Sequence, residues 1–148
     1  GILMAFTQAA LLQRVVPVLG QYKAALIGFV FCILSFVGYA LSTSSWMLYM
    51  FMIPGALQGF VMPAINGIMS GQIPANSQGE LQGGVASMSS LTAILSPPLM
   101  TWVFSAFSSA DAALYFPGAP FALAAVLTTI GLLFFLRAAQ PAPSVSEA

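Results

Sequence analysis

The sequence predicts an all-α bundle of membrane-spanning helices, and three observations carry that prediction. Of 148 residues, 59% are hydrophobic and only 4% are charged. The apolar residues gather in runs that approach or exceed the ~20 residues a helix needs to cross the hydrocarbon core. Short polar clusters such as Ser42-Thr43-Ser44-Ser45 separate those runs. A soluble domain spends about a quarter of its residues on Asp, Glu, Lys and Arg to solvate its surface. Three Lys or Arg and three Asp or Glu cannot do that here, so the solvent and first partner is the lipid bilayer.

The net charge is zero and no basic cluster exists, which argues against nucleic acid as a partner. Histidine is absent and Cys32 is the only cysteine. Disulfide frameworks, Cys/His zinc sites and histidine acid–base chemistry drop out together, so no metal, no cofactor and no enzyme activity is expected.

Five hydrophobic segments follow one another along the chain. The first, about 1–12, is too short to span alone and ends at Gln13-Arg14. The second, 24–41, follows Lys23 and stops at the serine-rich turn. The third, 46–70, opens on Trp46, whose amphipathic ring suits a membrane interface. The fourth, 80–107, contains Pro97-Pro98, which should kink or break it. The fifth, 120–136, stops at Arg137, so that 1–137 forms the bundle and 138–148 a tail expected to be disordered. The chain opens inside an apolar run without an initiator Met, as expected of a piece of a longer polypeptide.

Positive charge predicts the orientation. Arg14 and Lys23 lie between segments one and two, and Arg137 follows segment five. An even number of crossings separates these places, so all three fall on one face, which the positive-inside rule makes cytoplasmic. The tail and the loop 71–79 belong to that face, and Asp111 to the opposite one.

Segments two and five are nearly featureless and suit a lipid-facing position, whereas segments three and four carry Gln58, Asn66, Ser90, Thr92, Pro54, Pro63, Pro97 and Pro98. Amides and prolines inside a bilayer need protein or water to satisfy the polar groups involved. Segments three and four are therefore expected to face other helices or a wet cavity. Gly55 and Gly59, Gly67 and Gly71, and Gly79 and Gly83 are each four apart. Such pairs allow close helix packing, and a hinge role is the other reading. Ser77-Gln78-Gly79-Glu80 fits a capping box, with Ser77 as N-cap and Glu80 reaching back; the alternative for Glu80 is a part in gating.

Several stretches then resemble a known family. The run Gln72-Ile73-Pro74-Ala75-Asn76-Ser77-Gln78-Gly79-Glu80-Leu81-Gln82-Gly83, continuing into Ser90-Leu91-Thr92-Ala93-Ile94-Leu95-Ser96-Pro97-Pro98-Leu99, resembles the loop and eleventh helix of tetracycline-resistance-type transporters of the major facilitator superfamily. Met62-Pro63-Ala64-Ile65-Asn66-Gly67-Ile68-Met69-Ser70 is similar to the end of their tenth helix, and Tyr115-Phe116-Pro117-Gly118-Ala119-Pro120-Phe121 to the periplasmic entry to the twelfth. The resemblance implies a partial C-terminal half of that fold, helices eight to twelve, with the N-terminal half as missing partner. It also implies a multi-pass protein of the bacterial inner membrane that exports drugs or other small molecules, with proton-coupled antiport by alternating access.

On that resemblance Gln8, Gln58 and Asn66, with Ser90 and Thr92 as weaker candidates, would line the substrate cavity, although each amide has a rival explanation as a helix-to-helix hydrogen bond. Gly55, Gly59, Gly67, Gly71, Gly83, Pro97 and Pro98 would serve packing or gating. Arg14, Gly20 and Lys23 fall where the family has a Gly-, Asp- and Arg-rich cytoplasmic loop, but the acidic position is occupied by the Pro17 region, and topology anchoring is the alternative role. Cys32 and Met4 stand where characterised tetracycline antiporters carry a membrane carboxylate and a histidine. If protons drive transport, their carrier belongs to the missing half. The competing reading is a truncated membrane module or gene fragment that transports nothing and acts only structurally.

Overall fold

Helices Gln21–Leu41 (α1), Ser45–Leu57 (α2), Val61–Gly71 (α3), Gln78–Ser108 (α4) and Ala119–Ala138 (α5) make up the fold, with 3-10 turns at Gln58–Phe60 and Ala75–Ser77. These come from a computed structural model that describes residues 18–109 and 114–138, apart from the Phe60 side chain. Segment one, Gln8, Arg14, Met4, Asp111 and the tail beyond 138 lie outside the described residues. Among the described residues, four helical runs are long and apolar enough to cross a membrane: Gln21–Leu41, Ser45–Gly71, Ala75–Ser108 and Ala119–Ala138.

α1 starts at Gly20, whose φ of 80° and ψ of 158° lie in a region open essentially to glycine alone. The amide of Ala24 then donates to the Gly20 carbonyl at 3.1 Å, closing the first turn. At the other end the Ser42 hydroxyl donates to the Gly38 carbonyl at 2.6 Å, satisfying one of the carbonyls a helix terminus leaves free.

The core is built from small residues. Ala24, Ala25, Gly28, Ser35, Gly38 and Ala40 are the buried positions of α1, and Ala24 and Ala25 meet Ala64 of α3, with Ile65 and Phe135 against them. Large side chains such as Val30, Leu34, Trp102 and Phe134 remain exposed. Lipid is as apolar as leucine, so nothing drives these side chains inward, and helices associate where small residues let backbones approach.

α1 packs on α2, α3 and α5. Tyr22 stacks on Phe135 at 5.3 Å between centroids, and Tyr39 meets Phe121 at 5.5 Å, so α1 and α5 run antiparallel. Lys23 and Arg137, adjacent in sequence to Tyr22 and close to Phe135, therefore sit at the same end of the bundle.

The structure bears on three expectations. The second segment, expected to face lipid, is α1: it keeps Val30, Leu34, Val37 and Leu41 exposed, while a stripe of small residues packs on α2, α3 and α5. Pro97 and Pro98 do not break the fourth segment, for α4 continues through both. The missing amides leave the carbonyls of Ala93 and Ile94 without their helical donors, while the neighbouring turns carry the helix on. At Gly71, Gly79 and Gly83 a Cβ would meet nothing within 4 Å among the described residues. They lie at the end of α3 and along α4, and α4 buries only Val103 among the described residues.

Candidate functional site

Segment three is interrupted at its middle. Pro54 and Pro63 remove the amides that would bond to the carbonyls of Met50 and Gly59, and between them Gln58–Phe60 tightens into a 3-10 turn. A stretch of 3-10 inside a longer helix often marks a hinge. Gln58 is the central residue of the run Ser45–Gly71, so the break falls near mid-membrane.

Two concavities flank this break. One is a groove of about 630 Å³ between α3 and α4, bordered by Met62, Glu80, Leu81, Met88, Ser89 and Thr92. The Thr92 hydroxyl is committed to its own helix, donating toward the Met88 and Ser89 carbonyls at 3.0 and 2.9 Å. It therefore offers the groove lone pairs and no proton. Glu80, in the first turn of α4, places a carboxylate at the positive end of the helix dipole.

The other concavity, of about 550 Å³, is bordered by Phe29 and Cys32 of α1, by Gln58 and Met62, and by Leu127 and Thr128 of α5. The Cys32 thiol donates to Gln58 Oε1 at 3.1 Å. Among the described residues, the predicted cavity residues do not share one lining. Gln58 and Thr92 face different spaces with Met62 bordering both, and Ser90 is exposed outside either lining. Asn66 Oδ1 is buried without a hydrogen-bond partner among the described residues.

Gly55 and Gly67 do sit at close approaches. A Cβ on Gly55 would come within 2.8 Å of Ser35 Oγ, and one on Gly67 within 2.5 Å of Gln21 Nε2. Gly59 is buried. The capping box does not form: Ser77 holds the N-cap position with ψ near 3°, and its side chain makes no capping bond. A capping side chain needs an extended backbone, and the 3-10 turn Ala75–Ser77 prevents it. Instead Gln78 Nε2 donates to the carbonyls of Ser70 at 2.8 Å and Ile73 at 3.0 Å, bracing the α3–α4 turn. Sequence reasoning missed Gln78; the available signal was an amide just after a helix end and a proline-containing turn, where free carbonyls need donors.

The family model described as Major Facilitator Superfamily matches residues 1–148. The chain belongs to that superfamily. Among curated members it is 35% identical to the class C tetracycline resistance protein of Escherichia coli over 109 residues, covering 74% of this chain and 28% of that one. It is 33% identical to the class D tetracycline resistance protein of Salmonella ordonez over 144 residues, covering 97% and 35%. It is also 26% identical to the hippocampus abundant transcript-like protein 1 of Mus musculus over 150 residues, covering 92% and 30%. The chain spans about a third of the length of these relatives. No solved structure matches it. The tetracycline-resistance-type resemblance is borne out, and with the four membrane-length helices it makes this major facilitator chain a multi-pass membrane protein.

Proposed function

We propose that this chain is helices eight to twelve of a twelve-helix secondary transporter that exports drug-like small molecules by alternating access, coupled to protons. The observation that carries the reading is α4, a membrane-length helix bearing Ser, Thr and Gly along its flank, which buries only Val103 among the described residues and borders an open groove. Polar groups so placed require protein or water beside them. The missing N-terminal half supplies the opposite wall, and the two halves rock about the space between them. Support for the substrate class comes from the tetracycline resistance proteins the chain is similar to.

Met62 and Met88 give the groove adaptable apolar contacts, and Thr92 a hydrogen-bond acceptor. The 3-10 turn between Pro54 and Pro63 is the pivot that lets α2 and α3 bend separately. Glu80 is the only acidic residue in the described helices and stands at a helix start, so the membrane carboxylates that carry protons belong to the remainder of the protein. Lys23 and Arg137, at one end of the bundle, mark the cytoplasmic face of a bacterial inner membrane, with the C-terminus on that side.

The test is a growth-inhibition panel in a drug-sensitive strain carrying the intact gene, with drug accumulation measured with and without a proton uncoupler. Lower accumulation of at least one compound, abolished by the uncoupler, is expected. Unchanged accumulation of every compound despite normal membrane insertion overturns the reading in favour of a structural module.

A further inference from the structure

We propose that the cavity between α1, the 3-10 turn and α5 is a second ligand site, separate from the α3–α4 groove, for an uncharged and mostly apolar molecule with one hydrogen-bond acceptor. Three features lead there. The space, about 550 Å³, falls in the range that holds small organic ligands. Its walls are apolar, from Phe29, Met62 and Leu127. Its polar groups, Cys32, Gln58 and Thr128, come from the middle of three helical runs and so meet near mid-membrane.

The hydrogen bonding of those groups selects the ligand. Cys32 donates to Gln58 Oε1, which occupies the carbonyl end of the amide. The Gln58 NH2 has no partner among the described residues, although an amide nitrogen has two protons to donate. The Thr128 hydroxyl proton is directed to the Ala124 carbonyl at 2.7 Å. Two N–H groups are therefore what the cavity offers, and a ketone, ester or amide oxygen is what answers them. Leaving such donors without a partner in hydrocarbon is costly, so an acceptor-bearing guest gains more than a hydrocarbon of the same shape. Cys32 is a positioning residue: its thiol holds the amide with the nitrogen free.

Benzophenone is a suitable probe, being apolar, with a single carbonyl acceptor, and able on irradiation to insert into nearby C–H bonds. The full-length protein in its membranes is irradiated with benzophenone, and adducts are mapped by peptide mass spectrometry. Adducts on Leu127 report this cavity, whereas adducts on Leu81 or Met88 report the α3–α4 groove, so the site is read independently of the transport reading. Enrichment at Leu127 over Leu133, which is comparably exposed but outside the cavity lining, is expected, with a fall of about fivefold in Gln58→Leu, the scale of one hydrogen bond.

Gly131→Leu, which fills the cavity from α5, should abolish the enrichment. In the unaltered protein, benzophenone in the dark should slow N-ethylmaleimide alkylation of Cys32, a readout that needs no variant to fold. Cys32→Ser, which keeps a donor to Gln58, should retain labelling better than Cys32→Ala. Uniform labelling of exposed helix surfaces with unchanged Cys32 alkylation overturns the proposal. Enrichment that survives Gln58→Leu overturns the acceptor requirement and leaves a pocket for hydrocarbon chains.

Discussion

Ser35 and Phe51 join α1 to α2: the Ser35 hydroxyl, 1% exposed, donates to the Phe51 carbonyl at 3.1 Å. The Phe51 ring also lies where a side chain on Gly38 would be, one helical turn along α1 from Ser35. The contact is therefore part hydrogen bond and part shape. Interhelical hydrogen bonds in membranes average about 0.6 kcal/mol, whereas overpacking a tight contact costs about 1–3 kcal/mol. Gly38→Ala should accordingly lower the melting temperature of the purified protein more than Ser35→Ala does. Phe51→Ala should partly relieve Gly38→Ala, giving a coupling in the double-mutant cycle. Additive effects would show that the ring and the glycine do not share that space.

Gly20 makes a different demand, of backbone and not of space. A Cβ there meets nothing within 4 Å among the described residues, yet the φ of 80° suits glycine only. Substitution should cost about 1–3 kcal/mol through the backbone alone. Gly20→Ala and Gly20→Leu should destabilise about equally in thermal unfolding. A clearly larger loss for leucine would mean that neighbouring volume, and not dihedral strain, selects glycine.

Composition and run length made the membrane bundle legible, because the length of a hydrophobic run is set by the bilayer itself. Which helix packs most against the others among the described residues was not legible, since in lipid that depends on where small residues align. Ala24, Ala25, Gly28, Ser35 and Gly38 form the buried stripe of α1 within a segment that read as plain hydrocarbon. Gln58 was legible as a polar group needing a partner, but the partner, Cys32, is 26 residues away and was unreadable from local pattern. The capping box failed for the opposite reason. The local pattern at Ser77 was right, and the 3-10 turn entering α4 denied it the necessary backbone.

That failure has a measurable counterpart. With no capping bond from its side chain, Ser77→Ala should shift stability by less than the ~1 kcal/mol a working cap is worth. Gln78→Leu removes the donor to both the Ser70 and Ile73 carbonyls and should cost about 1–3 kcal/mol. Gln78→Glu, which lacks the NH2, should behave like leucine. Thermal unfolding of the three variants decides it. A large loss in Ser77→Ala with none in Gln78→Leu would restore the capping box.

Asn66 separates a structural amide from one that serves substrate. Its Oδ1 is buried with no partner among the described residues, and a buried acceptor left unpaired costs about 1–3 kcal/mol. A residue kept only for packing would have no reason to carry that cost. Asn66→Leu removes the unpaired oxygen at similar volume, so the melting temperature should hold or rise. If the oxygen is unpaired because a substrate or a helix of the other half bonds to it, function should suffer while stability does not. In the intact transporter, Asn66→Leu is then expected to alter the range of exported compounds at normal expression. An unchanged range together with a higher melting temperature would remove Asn66 from the transport path. A lower melting temperature would identify it as a helix-to-helix bond.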